Sequence, residues 1–446
     1  MPVNSEISYR VAVGAGLLCS LLIARSLFAG EPSGTDDFSF YSRFDTGIGG
    51  VDEDLFVLLL AEQGFRLRHL TLSLSGPFRL RVLDNAPDDA RVLREQDFDE
   101  PSDWARILRA VDYRREWEDA VALIHLGELN DVQIGHGTVV SHYFNSMDMD
   151  HYQGGALLSV DVRGNGLEFF MQDVVAPAII GGRAHVAPFS FFSQSPWGRR
   201  FQVALSLLTD TGVPHRTMVD GRRFILIAGG DAGLLLVDQQ RFSLEARVDV
   251  LGCDGSAGVH GGLAAGATLS QERELTLQVS GEYRYAGEDY YPALINPFYD
   301  RNRRSFSRDP VTGLRNTFAE HLANTAIEGS DSHGFAVDLS LQMADRFRIG
   351  ARYDFQSDHR PHWLLFKMEL APVQRFSLRA FFAGQDIAGG AGIFSSESLV
   401  GLSLHVELIG PLRAFTEVVR RHRRVGDGPA RTANEISGGV GLVFSY

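Results

Sequence analysis

Apolar and polar residues alternate along most of this chain, and a chain that alternates with period two again and again builds sheet. The C-terminal half carries the pattern most regularly. Phe335, Val337, Leu339, Leu341 and Met343 alternate with Ala336, Asp338, Ser340 and Gln342. After Ala344-Asp345, the residues Phe347, Ile349, Ala351, Tyr353 and Phe355 alternate with Arg346, Arg348, Arg352 and Asp354. His362, Leu364, Phe366, Met368 and Leu370 follow, opposite Trp363, Lys367 and Glu369. Next come Phe376 to Phe382 opposite Ser377 and Arg379, Val400 to Leu408 opposite Ser403, His405 and Glu407, and Leu412 to Val418 opposite Arg413 and Glu417. Earlier segments at 201–207, 242–250 and 275–285 repeat it. Less regular strands are expected near 66–74, 78–83, 119–129, 132–143, 155–163, 166–173, 179–188, 223–237 and 257–269.

A soluble sandwich would alternate too, around one finite core. The strands here run about 9–12 residues, the length of a tilted bilayer crossing. Tight connections (Asp238-Gln-Gln, Ala344-Asp345, Pro372-Val-Gln, Ile409-Gly410) stand between long ones at 286–332 and 385–397. Lipid offers the backbone no hydrogen bonds, so a spanning sheet must close. The expected fold is therefore all-β: a transmembrane antiparallel up-and-down barrel of about 16 strands, within a range of about 14–20. A content of 44% hydrophobic residues is too low for a bundle of spanning helices, each of which needs about 20 apolar residues in a row.

One stretch does run apolar, Val11–Ile23, preceded by Arg10 and followed by the small residues Ser26, Ala29 and Gly30. This is the layout of a secretory signal peptide, residues 1–29, cut after Ala29; an uncleaved anchor is the other reading. Cys19 follows Leu18, too large for a lipoprotein signal. Cys253 is then the only cysteine of the mature chain, which excludes an intramolecular disulfide. Residues 30–50 read as a periplasmic segment and 51–446 as the barrel. The net charge of −14 gives no electrostatic support for nucleic-acid binding.

The chain ends Ile436-Ser-Gly-Gly-Val440-Gly-Leu442-Val-Phe444-Ser-Tyr446, with apolar residues at every second position back from a terminal aromatic. Val440, Leu442, Phe444 and Tyr446 resemble the C-terminal signal that the barrel assembly machinery reads in outer-membrane proteins. They are equally the lipid-facing row of a closing strand. As a whole the chain resembles a Gram-negative outer-membrane barrel of porin type, although no residue motif matches a characterised subfamily. The resemblance implies an outer-membrane location among lipid and lipopolysaccharide, small polar solutes as cargo, and no cofactor.

Four groups of residues are candidates for function. Arg346, Arg348, Arg352, Lys367, Glu369, Arg379 and Glu417 lie on polar strand faces and are expected to line the pore, where they would set ion selectivity; the same opposite charges would also suit a narrow, salt-bridged interior. Arg301, Arg303, Arg304 and Arg308, in the aromatic-rich loop 286–332, are expected to form a constriction or to contact lipopolysaccharide; an external loop packed on itself is the plain alternative. Trp104, Ile107, Leu108 and Val111 fall at helical spacing after Ser102, predicting a short helix over 102–111, either in the lumen, at the periplasmic mouth or as a surface turn. Asp148, Asp150 and His151, in a region that also holds Gly135-His136-Gly137 and His142, have the groups a hydrolase needs, but their spacing matches no metal motif. Three functions follow: a diffusion channel first, a barrel hydrolase using Asp148, Asp150 and His151 second, and a non-conducting structural or adhesive barrel third.

Overall fold

The computed structural model describes residues 38–445 apart from 53, 85–91, 193–195, 215–221, 254, 289, 309–314, 324–330, 345, 358–361, 374, 386–394, 396–397 and 424–430. The segment 1–29, expected to be a signal peptide, and Tyr446 lie outside the described residues.

The strands are β1 (Phe38–Val51), β2 (Asp54–Leu67), β3 (Leu70–Leu83), β4 (Leu108–Trp117), β5 (Ala120–Gly127), β6 (Gly155–Val162), β7 (Asn165–Met171), β8 (Ile179–Val186), β9 (Phe201–Pro214), β10 (Arg222–Gln239), β11 (Phe242–Cys253), β12 (Ser256–Ser270) and β13 (Leu275–Ala286). A two-rung ribbon, β14 (Ser307–Arg308) and β15 (Arg315–Asn316), sits in the long loop that follows. The barrel resumes with β16 (Ser332–Met343), β17 (Phe347–Gln356), β18 (Trp363–Val373), β19 (Phe376–Gln385), β20 (Leu399–Glu407), β21 (Leu412–Arg423) and β22 (Arg431–Ser445). Among the described residues, twenty strands form one antiparallel sheet in which each pairs with the next. β22 returns to β1 in register from Tyr41↔Ser445 to Val51↔Glu435. The sheet has no open edge, as a lipid environment requires.

An even number of antiparallel strands brings both ends of the sheet to one rim. At that rim the connections 68–69, 118–119, 163–164, 240–241, 271–274, 344–346, 374–375 and 408–411 are tight, and only 187–200 is longer. The long connections 84–107, 128–154, 287–331 and 386–398 all lie at the other rim. Outside, the wall exposes Phe44, Ile48, Leu205, Val250, Leu263, Val337, Leu402, Ile436 and Val440. A continuous apolar belt of this kind is intolerable in water but matched to lipid. No described helix is long and apolar enough to cross a membrane; the crossing is made by strands.

The structure corrects the expected fold in four places. The barrel has 20 strands rather than about 16, at the upper end of the expected range. β1 fills most of the stretch assigned to a periplasmic segment, because Phe44 and Ile48 face out while Tyr41, Arg43 and Asp45 bond inward. The segment 132–143 is no wall strand: it carries only isolated bridges and lies inside the barrel. The helix expected over 102–111 is a 3-10 turn, Pro101–Ile107, followed directly by β4. That turn buries Ser102 and Asp103 and exposes Trp104 and Ile107, because the Asp103 carboxylate accepts hydrogen bonds from the backbone of Glu100 and Tyr152, both at 2.9 Å.

Candidate functional site

The buried apolar core is inside the barrel, where two loops pack on inward-facing wall residues such as Phe170, Leu208, Ile227 and Leu251. Inner loop 1 covers residues 128–154, between β5 and β6. It leaves β5 at Gly127, whose φ of +135° and closeness to the Arg109 carbonyl exclude a side chain. Asn145, fully buried, holds the loop's shape: its Oδ1 accepts from Leu129 N at 2.7 Å and its Nδ2 donates to the carbonyls of Gln153 and Gln172. The loop then crosses to distant strands. His142 bonds Asp131 at 2.5 Å and Asp338 of β16 at 2.7 Å. Lys367 of β18 pairs with Asp131. The backbone of His422 in β21 bonds Met147 O and Met149 N, each at 2.8 Å. Burial alone would raise the Asp131 carboxyl; the hydrogen bond from His142 and the charges of His142 and Lys367 outweigh it and hold it below the usual range.

Inner loop 2 covers 287–331, between β13 and β16, and lies against the first. Ala293 N donates to Thr138 O, Ile295 N to Val139 O, and Ser141 N to Ile295 O, at 2.8–3.1 Å. Val140, Tyr143, Ile295, Phe298, Tyr299 and Phe318 are fully buried at and around this contact, and each such side chain contributes roughly 1.5–3 kcal/mol. A one-turn helix, α1 (Tyr299–Asn302), presents the Tyr299 hydroxyl to Asp210 of β9 at 2.8 Å, and Arg303 reaches the same carboxylate at 2.8 Å. A second helix, α2 (Phe318–Ala323), starts with a reciprocal cap between Thr317 and Glu320. Tyr291, Phe306 and Phe318 pack edge to face within 5.2 Å of one another.

The wall residues expected to line a pore divide into two sets. Arg348, Glu369, Arg379 and Glu417 occupy one continuous row: Gln342↔Arg348↔Glu369↔Arg379↔Ser403↔Glu417↔Ser437 are cross-strand partners in turn. Within it Arg348, Glu369 and Arg379 are exposed, and Glu369 and Arg379 approach to only 3.8 Å. Arg346 is exposed beside it, in the turn between β16 and β17. The second set serves the loops. Lys367 holds Asp131, and Arg352 is 4% exposed in its side chain among Asp338, Asp354, Glu282 and the Trp363 ring. Arg352 is therefore a packed ion-pair partner and not a hydrated pore charge. Charge reversal is expected to act through the hydrated row: Arg348→Glu with Arg379→Glu should move the reversal potential in a salt gradient toward cations, and an unchanged potential would remove this row from the permeation path.

The loop arginines are also redistributed. Arg301 stacks on Phe298 at 5.1 Å and Arg303 is buried on Asp210, so these two pack inside the barrel. Arg304 is partly buried beside them; the side chain of Arg308 lies outside the described residues. Val440 and Leu442 are exposed on the outer face of β22, in line with Ile436, and Phe444 follows partly buried.

Of the trio Asp148, Asp150 and His151, Asp150 and His151 are drawn into ion pairs with residues outside it. Asp150 is neutralised by Arg94 at 2.5 Å and Arg423 at 2.8 Å, and His151 pairs with Glu100 at 2.7 Å. Burial, with the Asp150 charge adding to it and His151 opposing it, pushes the Asp148 carboxyl up to about 6. A carboxyl raised this way keeps its proton when folded at pH values where the unfolded chain has lost it, so it subtracts stability as pH rises from near 4 through 6. Asp148→Asn is expected to stabilise the protein at pH 7.5 by roughly 1–3 kcal/mol and to change little at pH 3.5; equal urea midpoints at pH 7.5 would contradict this.

Sequence reasoning missed the buried charge networks. Arg284, fully buried, pairs with Glu282 and, at 2.5 Å, with Asp354. Arg79 and Arg94 converge on Asp97 at 2.9 and 2.8 Å. The period-two pattern marks Arg79, Glu282, Arg284 and Asp354 as inward-facing but carries no information on which loop or strand they meet, and Arg94 and Asp97 lie in a loop where no such pattern runs.

No family model matches the chain, and no curated protein sequence matches it. Solved structures do. It is similar to Pseudomonas aeruginosa OccK8 (OprE), at 10% identity and a TM-score of 0.35, over 92% of this chain and 98% of that one. It is similar to Pseudomonas aeruginosa OpdK, solved with vanillate, at 9% identity and a TM-score of 0.33, over 92% and 99%. It is also similar to Escherichia coli Wzi, a carbohydrate-binding outer-membrane barrel involved in group 1 capsule assembly, at 11% identity and a TM-score of 0.33, over 95% and 91%. Likenesses this distant transfer no residue role.

Proposed function

We propose that this chain is a porin-like channel of a Gram-negative outer membrane, passing small polar solutes by passive diffusion through a lumen narrowed by inner loops 1 and 2. The carrying observation is a closed barrel whose two inner loops fold back inside and fasten to the far wall, beside a hydrated row of mixed charge at Arg348, Glu369 and Arg379. A barrel of this size without inner loops would be a wide aqueous pore. With them, passage is restricted by size and by the field of the lumen charges. The rim of tight turns faces the periplasm in this reading, and the long connections face outward. Export through residues 1–29 and insertion guided by the β22 row belong to the same proposal.

A second reading is a non-conducting barrel, favoured by the complete burial of Val140, Ile295 and Phe298 where the loops meet. Liposome swelling separates the two. Reconstituted folded protein is expected to admit a monosaccharide and to exclude a trisaccharide. No swelling with either solute supports the non-conducting barrel; equal rates with both would contradict the constriction.

A further inference from the structure

We propose that His136, Asp231 and Asp249 form a site for a divalent transition metal that fastens inner loop 1 to the barrel wall. His136 sits at the tip of a turn between Gly135 and Gly137, whose φ values are +57° and +78°. The turn is closed by Gly137 N donating to Ile134 O and fixed by Gly135 N donating to Glu168. A side chain on Gly135 would press on Arg183, 2.7 Å from the position of its Cβ, and would sit at a left-handed φ, so glycine is the residue this turn favours.

The wall meets it with carboxylates from two paired strands, β10 and β11, where Asp231 and Asp249 are register partners. His136 Nδ1 lies 3.1 Å from Asp249 and 4.0 Å from Asp231, and the three donor atoms fall within 4.8 Å of one another. All three side chains are at most 10% exposed. Ligands at about 2.0–2.1 Å around a tetrahedral zinc stand about 3.3 Å apart, so His136 and Asp249 already have that spacing, Asp231 is about 0.7 Å too far from His136, and no pair needs to close by more than about 1.5 Å.

Charge points the same way. Around His136, the four carboxylates of Glu168, Asp231, Glu245 and Asp249 face two guanidiniums, Arg183 and Arg247. Arg183 grips Asp231 at 2.7 and 2.9 Å, and Arg247 grips Glu245 at 2.7 Å. Two negative charges are left over in a largely buried patch, and a dication balances them. One imidazole nitrogen with two carboxylates is a donor set for zinc-like ions, with remaining positions filled by water.

The test is zinc titration of the chelator-stripped, detergent-folded barrel by calorimetry, with cobalt(II) absorption as a spectroscopic readout of the site. One tight equivalent is expected. It should be lost in His136→Gln and in Asp249→Asn, and kept in His333→Ala, which alters an exposed histidine far along the chain. Heat-modifiable gel migration reports whether each variant has folded, and either folded variant suffices. Absence of a tight equivalent in the wild type, or its retention in a folded His136→Gln or Asp249→Asn barrel, overturns the site.

Discussion

Replacing residues 288–330 by a short glycine–serine turn is expected to raise single-channel conductance several-fold while leaving the barrel closed. The ladder that joins β13 to β16 does not depend on inner loop 2, although Asp210 of β9 loses Tyr299 and Arg303 and must be rehydrated. β13 and β16 pair from Leu275↔Met343 to Ala286↔Ser332, so the two ends to be joined already face each other across one ladder. Removing the loop takes out Ile295, Phe298, Tyr299 and Phe318, which fill the lumen beside Tyr143 and Val140. Inner loop 1 keeps its own ties at Asp338, Lys367 and His422, so widening will be partial. Planar-bilayer recording checks the conductance, and far-UV circular dichroism with heat-modifiable migration checks closure. Unchanged conductance in a closed variant would mean that inner loop 2 does not obstruct the path.

Arg352→Glu is expected to cost about 3–5 kcal/mol, because it removes a cation from a buried network and adds an anion to it. Glu282, Asp338 and Asp354 all lie within 4 Å of the guanidinium, and Arg284, with Lys367 already shared with Asp131, cannot balance them together with a new carboxylate. The damage reaches inner loop 1, since Asp338 also holds His142. Refolding yield and urea midpoint should both fall sharply, whereas Arg379→Glu, on an exposed residue, should leave both nearly unchanged. Similar stabilities for the two variants would show that the Arg352 network is worth little. A selectivity change in Arg352→Glu would therefore not report on a pore charge.

The wall was largely legible in the sequence, because the alternation of a strand is set by its own backbone and not by its partners. Val337, Leu339, Leu402, Val440 and Leu442 expose the apolar face expected of them, and Arg348, Glu369 and Arg379 fall on the polar one. Strand number was less legible for local reasons. The stretch 66–74 reads as one strand, yet the chain turns at 68–69 with Arg68 at φ +50°, a left-handed position carrying neither glycine nor asparagine. Ile107, Leu108 and Val111 fit a helical face, and the last two belong to β4. Val132 and Ile134 alternate like a wall strand but face the lumen core. The site itself was not legible, because its bonds join residues far apart in the chain: His142 to Asp338 spans 196 positions and Lys367 to Asp131 spans 236. Nor could the sequence show that Asp150 is held by Arg94 and Arg423, which reach it only after folding.

The central claim, a conducting barrel narrowed from within, is tested most directly by single-channel recording of the refolded wild-type protein. Small, stable, stepwise conductance, well below that of the variant lacking residues 288–330, is the predicted result. Reproducible silence from protein that migrates as a folded barrel, or a conductance equal to that of the shortened variant, would contradict it.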